Sequence, residues 1–177
     1  MARTRSDQLS PGEWAVLALL TERPAHGFAL ARALAEDGEI GRVWSFRRPL
    51  VYRALETLQS LDLVRYAKHE PGEHGPARRV LEPTAAGREQ VEAWLAEPVE
   101  HVRDIRSQLM LKLLFLERAG RDPGGLVAAQ HEHCQTLADA LEDRSRSAEA
   151  FDRTLALWRL ESTRAALRFL EHAVVKT

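Results

Sequence analysis

Residues 46–63, FRRPLVYRALETLQSLDL, constrain this chain more than any other stretch. Val51, Ala54, Leu55, Leu58 and Leu61 recur at helical spacing and define one apolar stripe. The opposite side carries Arg47, Arg48, Tyr52 and Arg53 in the first turns of the same helix. Pro49 would damage a helix interior, but a first turn has no intrahelical donors to lose. The helix is therefore expected to start at about Arg47, beside exposed N–H groups that favour a phosphate. A helix with an apolar back and a basic, aromatic front can rest on a core while offering that front to a DNA groove.

The flanking segments supply a small domain around this helix. Ser10-Pro11-Gly12-Glu13 is a helix start with a capping residue, a proline at the first position and the glutamate of a capping box. That first helix runs to about Leu20, burying Val16, Leu17, Leu19 and Leu20, until Arg23-Pro24-Ala25 breaks it. His26-Gly27 opens a second helix to about Glu36, with Phe28, Leu30, Ala31 and Leu34 facing inward and Gly38 and Gly41 bracketing a turn. Val43, Trp44 and Phe46 are apolar anchors before the third helix. Residues 63–68 and 78–82 read as the two strands of a β-hairpin, with a long tip around Pro71-Gly72 and Gly75-Pro76. Pro83-Thr84 starts a fourth helix with Val91, Trp94 and Leu95 as its apolar positions, ending before Pro98.

Composition is that of a soluble globular chain: 45% hydrophobic and 29% charged over 177 residues. No apolar run reaches the length of a membrane span, and the first residues lack the apolar segment of a signal peptide. One cysteine, Cys134, excludes an internal disulfide and fits a reducing cytoplasm. The net charge of −1 hides an asymmetry, because residues 42–80 carry eight basic and four acidic side chains, a local charge of +4. Phosphate attraction acts over about 8 Å in physiological salt, so the patch outweighs the whole-chain sum.

From Val102 the character changes to three helices, at about residues 102–118, 123–146 and 150–174. The first carries Ile105, Leu109, Leu113 and Leu116 at near-heptad spacing; the second is anchored by Leu126, Leu137 and Leu141. The third has Phe151, Leu155, Trp158, Ala165 and Phe169, with Leu157, Leu160, Leu167 and Leu170 on further faces. That is more apolar surface than one small helical set needs, which points to a partner, most simply a second copy.

Several residues are candidates for chemistry. At the wing, Lys68, His69, Arg78 and Arg79 lie near the hairpin tip, and strand alternation turns Arg78 and Arg79 to opposite sides. Trp94 and Trp158 could line an apolar pocket for a flat effector, with core packing as the plain account of each. His131, His133 and Cys134 lack zinc-helix spacing and are too few for a typical site, so no metal is expected. Ser10, Ser45 and Ser60 have no evident His–Asp partners, and no glycine-rich phosphate loop follows a strand, so no catalytic residue is assigned.

The first hundred residues resemble the phenolic acid decarboxylase regulator (PadR) family of bacterial transcription factors. The matching pieces are LALLTERPAHGFALARAL (17–34), VWSFRRPLVYRALETLQSLDLV (43–64) and RRVLEPTAAGREQVEAWL (78–95), and RSQLMLKLLFLE (106–117) is similar to the family's entry into its C-terminal domain. The resemblance implies a mostly α protein: a winged helix-turn-helix with a two-stranded wing in residues 1–98, and a helical dimerisation domain of the longer type in 99–177. It implies a homodimer that binds a near-palindromic element of double-stranded DNA, usually as a repressor released by a small aromatic or drug-like effector; a cytoplasmic protein without a cofactor is expected. The chain departs from the family at the start of the third helix, where Arg47 and Pro49-Leu50 replace a small polar residue and a Gly-Gln pair, and at Arg53, where many members have proline. Its operator is therefore its own. The competing readings are a winged helix that binds another protein, and a metal-responsive regulator acting through the His131/Cys134 region.

Overall fold

The computed structural model of the chain describes residues 9–70 and 78–173, without the side chains of residues 68–70 and 78. The hairpin tip expected around Pro71 to Pro76 and the end of the last helix at Val174 lie outside the described residues.

Helix α1 (Pro11–Glu22) opens with the expected capping box: the Ser10 hydroxyl accepts the Glu13 N–H at 3.3 Å, and the Ser10 N–H donates to Glu13 Oε2 at 2.7 Å. Gly12 and every residue from Trp14 to Leu20 are buried, so α1 is apolar almost all round and forms the axis of the N-terminal half. A two-residue strand, β1 (Ala25–His26), leads into α2 (Gly27–Ala33). The expected extension of α2 to Glu36 does not occur. The chain turns back instead, Ile40 and Gly41 both donating to the Ala33 carbonyl at 3.0 and 3.3 Å, and Ile40 is buried completely. Glycines on both sides of Ile40 favour this reversal over a helix. Phe46 then lies over Gly12 so closely that a Cβ there would fall 2.3 Å from its ring.

Helix α3 (Arg48–Ser60) starts one residue after the expected point, with Arg47 as its cap residue. Val51, Ala54, Leu55 and Leu58 are buried, chiefly against α1. Leu61, expected on that stripe, is 42% exposed. Asp62 takes a left-handed turn (φ 56°), and the Leu63 and Asp62 N–H groups close back on the carbonyls of Leu58 and Gln59 at 2.9 and 3.0 Å. The turn rotates Leu61 outward and puts Leu63 into the core in its place.

Strands β2 (Val64–Glu70) and β3 (Arg78–Pro83) form the hairpin. The hairpin is the expected two-stranded wing, and a third strand that was not expected joins its sheet: β1 pairs antiparallel with β3 (Ala25↔Leu81, His26↔Val80) in the order β1-β3-β2. Two residues are too short for alternation to announce a strand. On the other side Arg65 faces Glu82, and the pairing slips between Tyr66 and Lys68, leaving Ala67 as a bulge.

Helix α4 (Ala85–Ala96) is capped by Thr84, whose hydroxyl accepts the Gly87 N–H at 3.1 Å and donates to the Asp62 carbonyl at 2.8 Å. The chain then crosses a 3₁₀ turn (Val102–Asp104) and a π-helical turn (Ile105–Leu109) before α5 (Met110–Arg118), so the helix expected over 102–118 is a run of changing pitch. Helices α6 (Gly124–Ser147) and α7 (Ala150–Ala173) have 24 residues each, close to the expected spans, and two linking residues send α7 back along α6. The face of α7 turned inward is Ala156, Leu160, Thr163, Ala166, Leu167 and Leu170. Phe151, Leu157, Trp158 and Phe169 are exposed. No described helix is long and apolar enough to cross a membrane.

Polar attachments, Gln130, Arg118 and Lys112 among them, tie α5 and α6 to the chain before them beside one continuous apolar core. Gln130 on α6, almost fully buried, accepts the Val99 N–H at 2.7 Å and donates to the Val99 carbonyl at 3.1 Å. Arg118, ending α5, forks onto Glu22 with two bonds of 2.7 Å and reaches Glu39 at 2.8 Å. Lys112 on α5 is 3% exposed, donates to the Glu97 carbonyl at 2.5 Å and stands 5.4 Å from the centre of the Trp94 ring.

Burial pushes the Lys112 ammonium down to about 8, against the opposing pull of Glu97. Below that pH both the folded and unfolded chain hold a charged lysine, and the folded state bears the desolvation cost. Between about 8 and the ordinary lysine value near 10.4 the unfolded chain binds more protons, so stability rises with pH. Relative to Lys112→Met, the unfolding free energy of the parent should gain on the order of 2–3 kcal/mol between about pH 7.5 and 10.5. Parallel stability profiles for the two proteins would contradict the buried charge.

Candidate nucleic-acid interface

The start of α3 is basic and exposed. Its cap residue makes no side-chain hydrogen bond and no acidic residue stands in its first turn, so no carboxylate offsets the positive end of the helix; Pro49 has no N–H, and the Leu50 N–H donates to the Arg47 carbonyl at 2.8 Å. Arg47, Arg48, Tyr52 and Arg53 are all exposed there. Among the described residues no carboxylate pairs with Arg47, Arg48 or Arg53. Five arginines elsewhere are tied down, Arg65 to Glu82, Arg118 to Glu22 and Glu39, Arg121 to Glu92, Arg146 to Glu142 and Asp143, and Arg164 to Glu142 and Glu161, whereas others such as Arg42 and Arg159 are, like those of α3, without an ion pair among the described residues.

Arg48 rests against rings instead. Its guanidinium carbon lies 5.4 Å from the centre of Phe28 on α2 and 5.8 Å from that of Tyr52 on α3. Phe28 was expected to face the core and is 43% exposed. At 100° per residue it lies roughly 160° around the helix from Leu30, so a helical wheel places it off the buried stripe. Sequence reasoning also missed Tyr66, which gathers Arg79 on the wing: Arg79 Nη1 donates to the Tyr66 hydroxyl at 3.3 Å, with its guanidinium carbon 5.2 Å from the ring centre. Lys68 and Arg78 are placed only by backbone, opposite Val80 and Glu70 respectively; their side chains, and that of His69, lie outside the described residues.

The two candidate effector tryptophans are not brought together. Trp94 belongs to the core, stacked flat on Trp14 at 5.1 Å and meeting Phe115 edge-on at 6.4 Å. Its position on α4 faces α1, and burial there leaves no face for a ligand. Trp158 is 71% exposed and lines a groove of about 820 Å³ with Val102, Leu137, Leu141, Leu155 and Arg159. The residues of the metal-responsive reading diverge. His133 meets the Glu100 carbonyl at 2.8 Å, His131 stands 4.0 Å from Glu171, and Cys134 is buried beside Gln130. Burial pushes the Cys134 thiol up from its ordinary value.

A three-helix core whose third helix is laid on the first, followed by a hairpin, is a winged-helix domain of the kind found in DNA-binding regulators. Residues 16–93 match the model of the transcriptional regulator PadR-like family, a stretch that takes in the winged helix. A curated relative, the probable transcriptional regulator Rv1176c of Mycobacterium tuberculosis (strain ATCC 25618 / H37Rv), is 30% identical over 97 residues. The match takes in 54% of this chain and 49% of that protein, so it spans about half the length of each. Among solved structures, Bacillus subtilis PadR in complex with operator DNA is similar at 19% identity, covering 92% of this chain and 97% of that one, with a TM-score of 0.47. Bacillus subtilis PadR in complex with p-coumaric acid is similar at 18% identity, covering 93% and 96%, with a TM-score of 0.45.

The wing geometry has a spectroscopic consequence. A hydrogen bond with Gln59, then the bond to Arg79 and its charge, hold the Tyr66 phenol below the usual tyrosine value. In an ultraviolet phenolate titration, Gln59→Ala or Arg79→Ala should move the component that Tyr66→Phe removes to higher pH. A component that stays in place in both variants would contradict the contacts.

Proposed function

We propose that this protein is a homodimeric, sequence-specific DNA-binding transcriptional regulator, a repressor released by a small aromatic or drug-like effector. The observation that carries the reading is the start of α3: exposed arginines without carboxylate partners among the described residues, at a helix start that holds no acidic residue, on a winged helix that matches the model of a regulator family. The helix lies in a major groove, and Arg47, Arg48, Tyr52 and Arg53 meet phosphates and base edges. Lys68, Arg78 and Arg79 bring the wing to the flanking backbone or minor groove. Residues 1–98 act as the DNA-binding domain and 99–177 as the dimerisation and effector domain.

The exposed aromatic side of α7 supports pairing. Phe151, Trp158 and Phe169 are large side chains left in water by a single chain, and a second copy would cover them. A two-fold pair presents two α3 helices about one duplex turn apart. The groove beside Trp158 would be closed on one side by the partner, giving an effector an apolar floor and arginine rims at Arg103, Arg144 and Arg159. An effector bound there acts through different affinity for two dimer geometries.

Gel shifts of the protein on its own upstream intergenic DNA, with random duplex as competitor, test the reading. Affinity should fall by about 10³-fold between 50 and 200 mM salt if six phosphates are met. Arg48→Ala and Arg53→Ala should each weaken binding about tenfold without lowering the melting temperature. Retention of full affinity by both variants, or affinity indifferent to salt, would count against DNA as the ligand.

A further inference from the structure

The His26-Gly27-Phe28 turn leaves a large apolar ring exposed beside the α3 arginines, and its construction aims that ring. The His26 Nδ1 accepts the Ala29 N–H at 3.1 Å and so fixes the first turn of α2. Gly27 has no Cβ; one built there would come 2.7 Å from the Tyr52 ring, so the absence of a side chain lets Tyr52 close onto the start of α2. Phe28 from α2 and Tyr52 from α3 then both reach the same guanidinium, that of Arg48.

The kind of contact matters. A carboxylate would hold Arg48 by occupying the N–H donors of its fork. Aromatic faces hold a guanidinium by its charge and plane and leave the edge donors available. An arginine ordered beforehand also loses less side-chain freedom when it binds. Reading guanine through O6 and N7 needs both: a fixed plane and two free donors.

We infer that Phe28 is a positioning residue that determines specificity at the DNA interface, holding the Arg48 guanidinium with Tyr52 in the plane from which it reads a guanine edge. The inference rests on the DNA-binding reading above and adds a residue on α2 that touches Arg48 rather than standing on the recognition helix.

Selection of duplexes from a pool with a randomised centre, using the full chain, tests it. Parent, Arg48→Ala, Phe28→Leu and Phe28→Tyr proteins are compared base by base. Arg48→Ala should weaken the preference for guanine at one position of each half-site by about fivefold or more. Phe28→Leu should weaken the same preference about two- to fivefold, the range of an exposed cation–π contact, and leave the other positions and the salt dependence as in the parent. Phe28→Tyr, which keeps the ring, should restore the parent pattern. The inference is overturned if Phe28→Leu keeps the guanine preference, if it weakens every position alike together with the melting temperature, or if Arg48→Ala changes no position. A parent protein that enriches no sequence overturns the DNA-binding reading itself, a result distinct from the other three.

Discussion

The packing of Val51, Ala54, Leu55 and Leu58 against α1 governs what this chain can present to a partner. These four side chains hold α3 at a fixed rotation on the buried helix α1. Removing one of the leucines would cost about 2–5 kcal/mol, a large part of the stability of a small domain. A helix has only two sides to offer. Once the apolar one is fixed inward, Arg47, Arg48, Tyr52 and Arg53 have to face outward. Proline at the start and the left-handed Asp62 at the end set the length of the exposed basic segment, and the hairpin begins directly where the helix stops.

The C-terminal half is fastened to this arrangement by polar bonds as well as by apolar contact. Lys112 holds the last carbonyl region of α4, Gln130 holds Val99, and Arg118 holds both the end of α1 and the turn at Glu39. Two of these three side chains are buried, where a polar group that loses its partner costs about 1–3 kcal/mol. A displacement of α5 against the winged helix would break the bonds of Lys112 and Arg118. These bonds therefore tie the position of α5 to that of the winged helix.

Much of this was legible in the chain, for reasons that differ from element to element. The amphipathic stripe of α3, the capping box of α1 and the lengths of α6 and α7 follow from local rules that operate within a few residues. The third strand was not legible, since Ala25 and His26 become a strand only by meeting Val80 and Leu81 across the sheet. The end of α2 at Ala33 depends on Ile40 returning to the core, again a long-range event. At the start of α3, charge and position singled out arginines that the structure leaves exposed. The rings that lie against Arg48 and Arg79, Phe28 and Tyr66, were hidden because an aromatic residue in a helix or strand reads by default as core. Trp94 and Trp158 show the same ambiguity resolved in two directions, one into the stack on Trp14 and the other into solvent.

Methylation interference on a duplex that the protein has selected gives the most direct test of the claim that α3 enters a major groove. Guanine N7 lies on the floor of that groove, where a methyl group blocks an arginine fork. The account predicts that N7 methylation abolishes binding at guanines in two patches about 10 base pairs apart, one for each copy of α3. Binding that N7 methylation disturbs at no guanine of the selected duplex would contradict it.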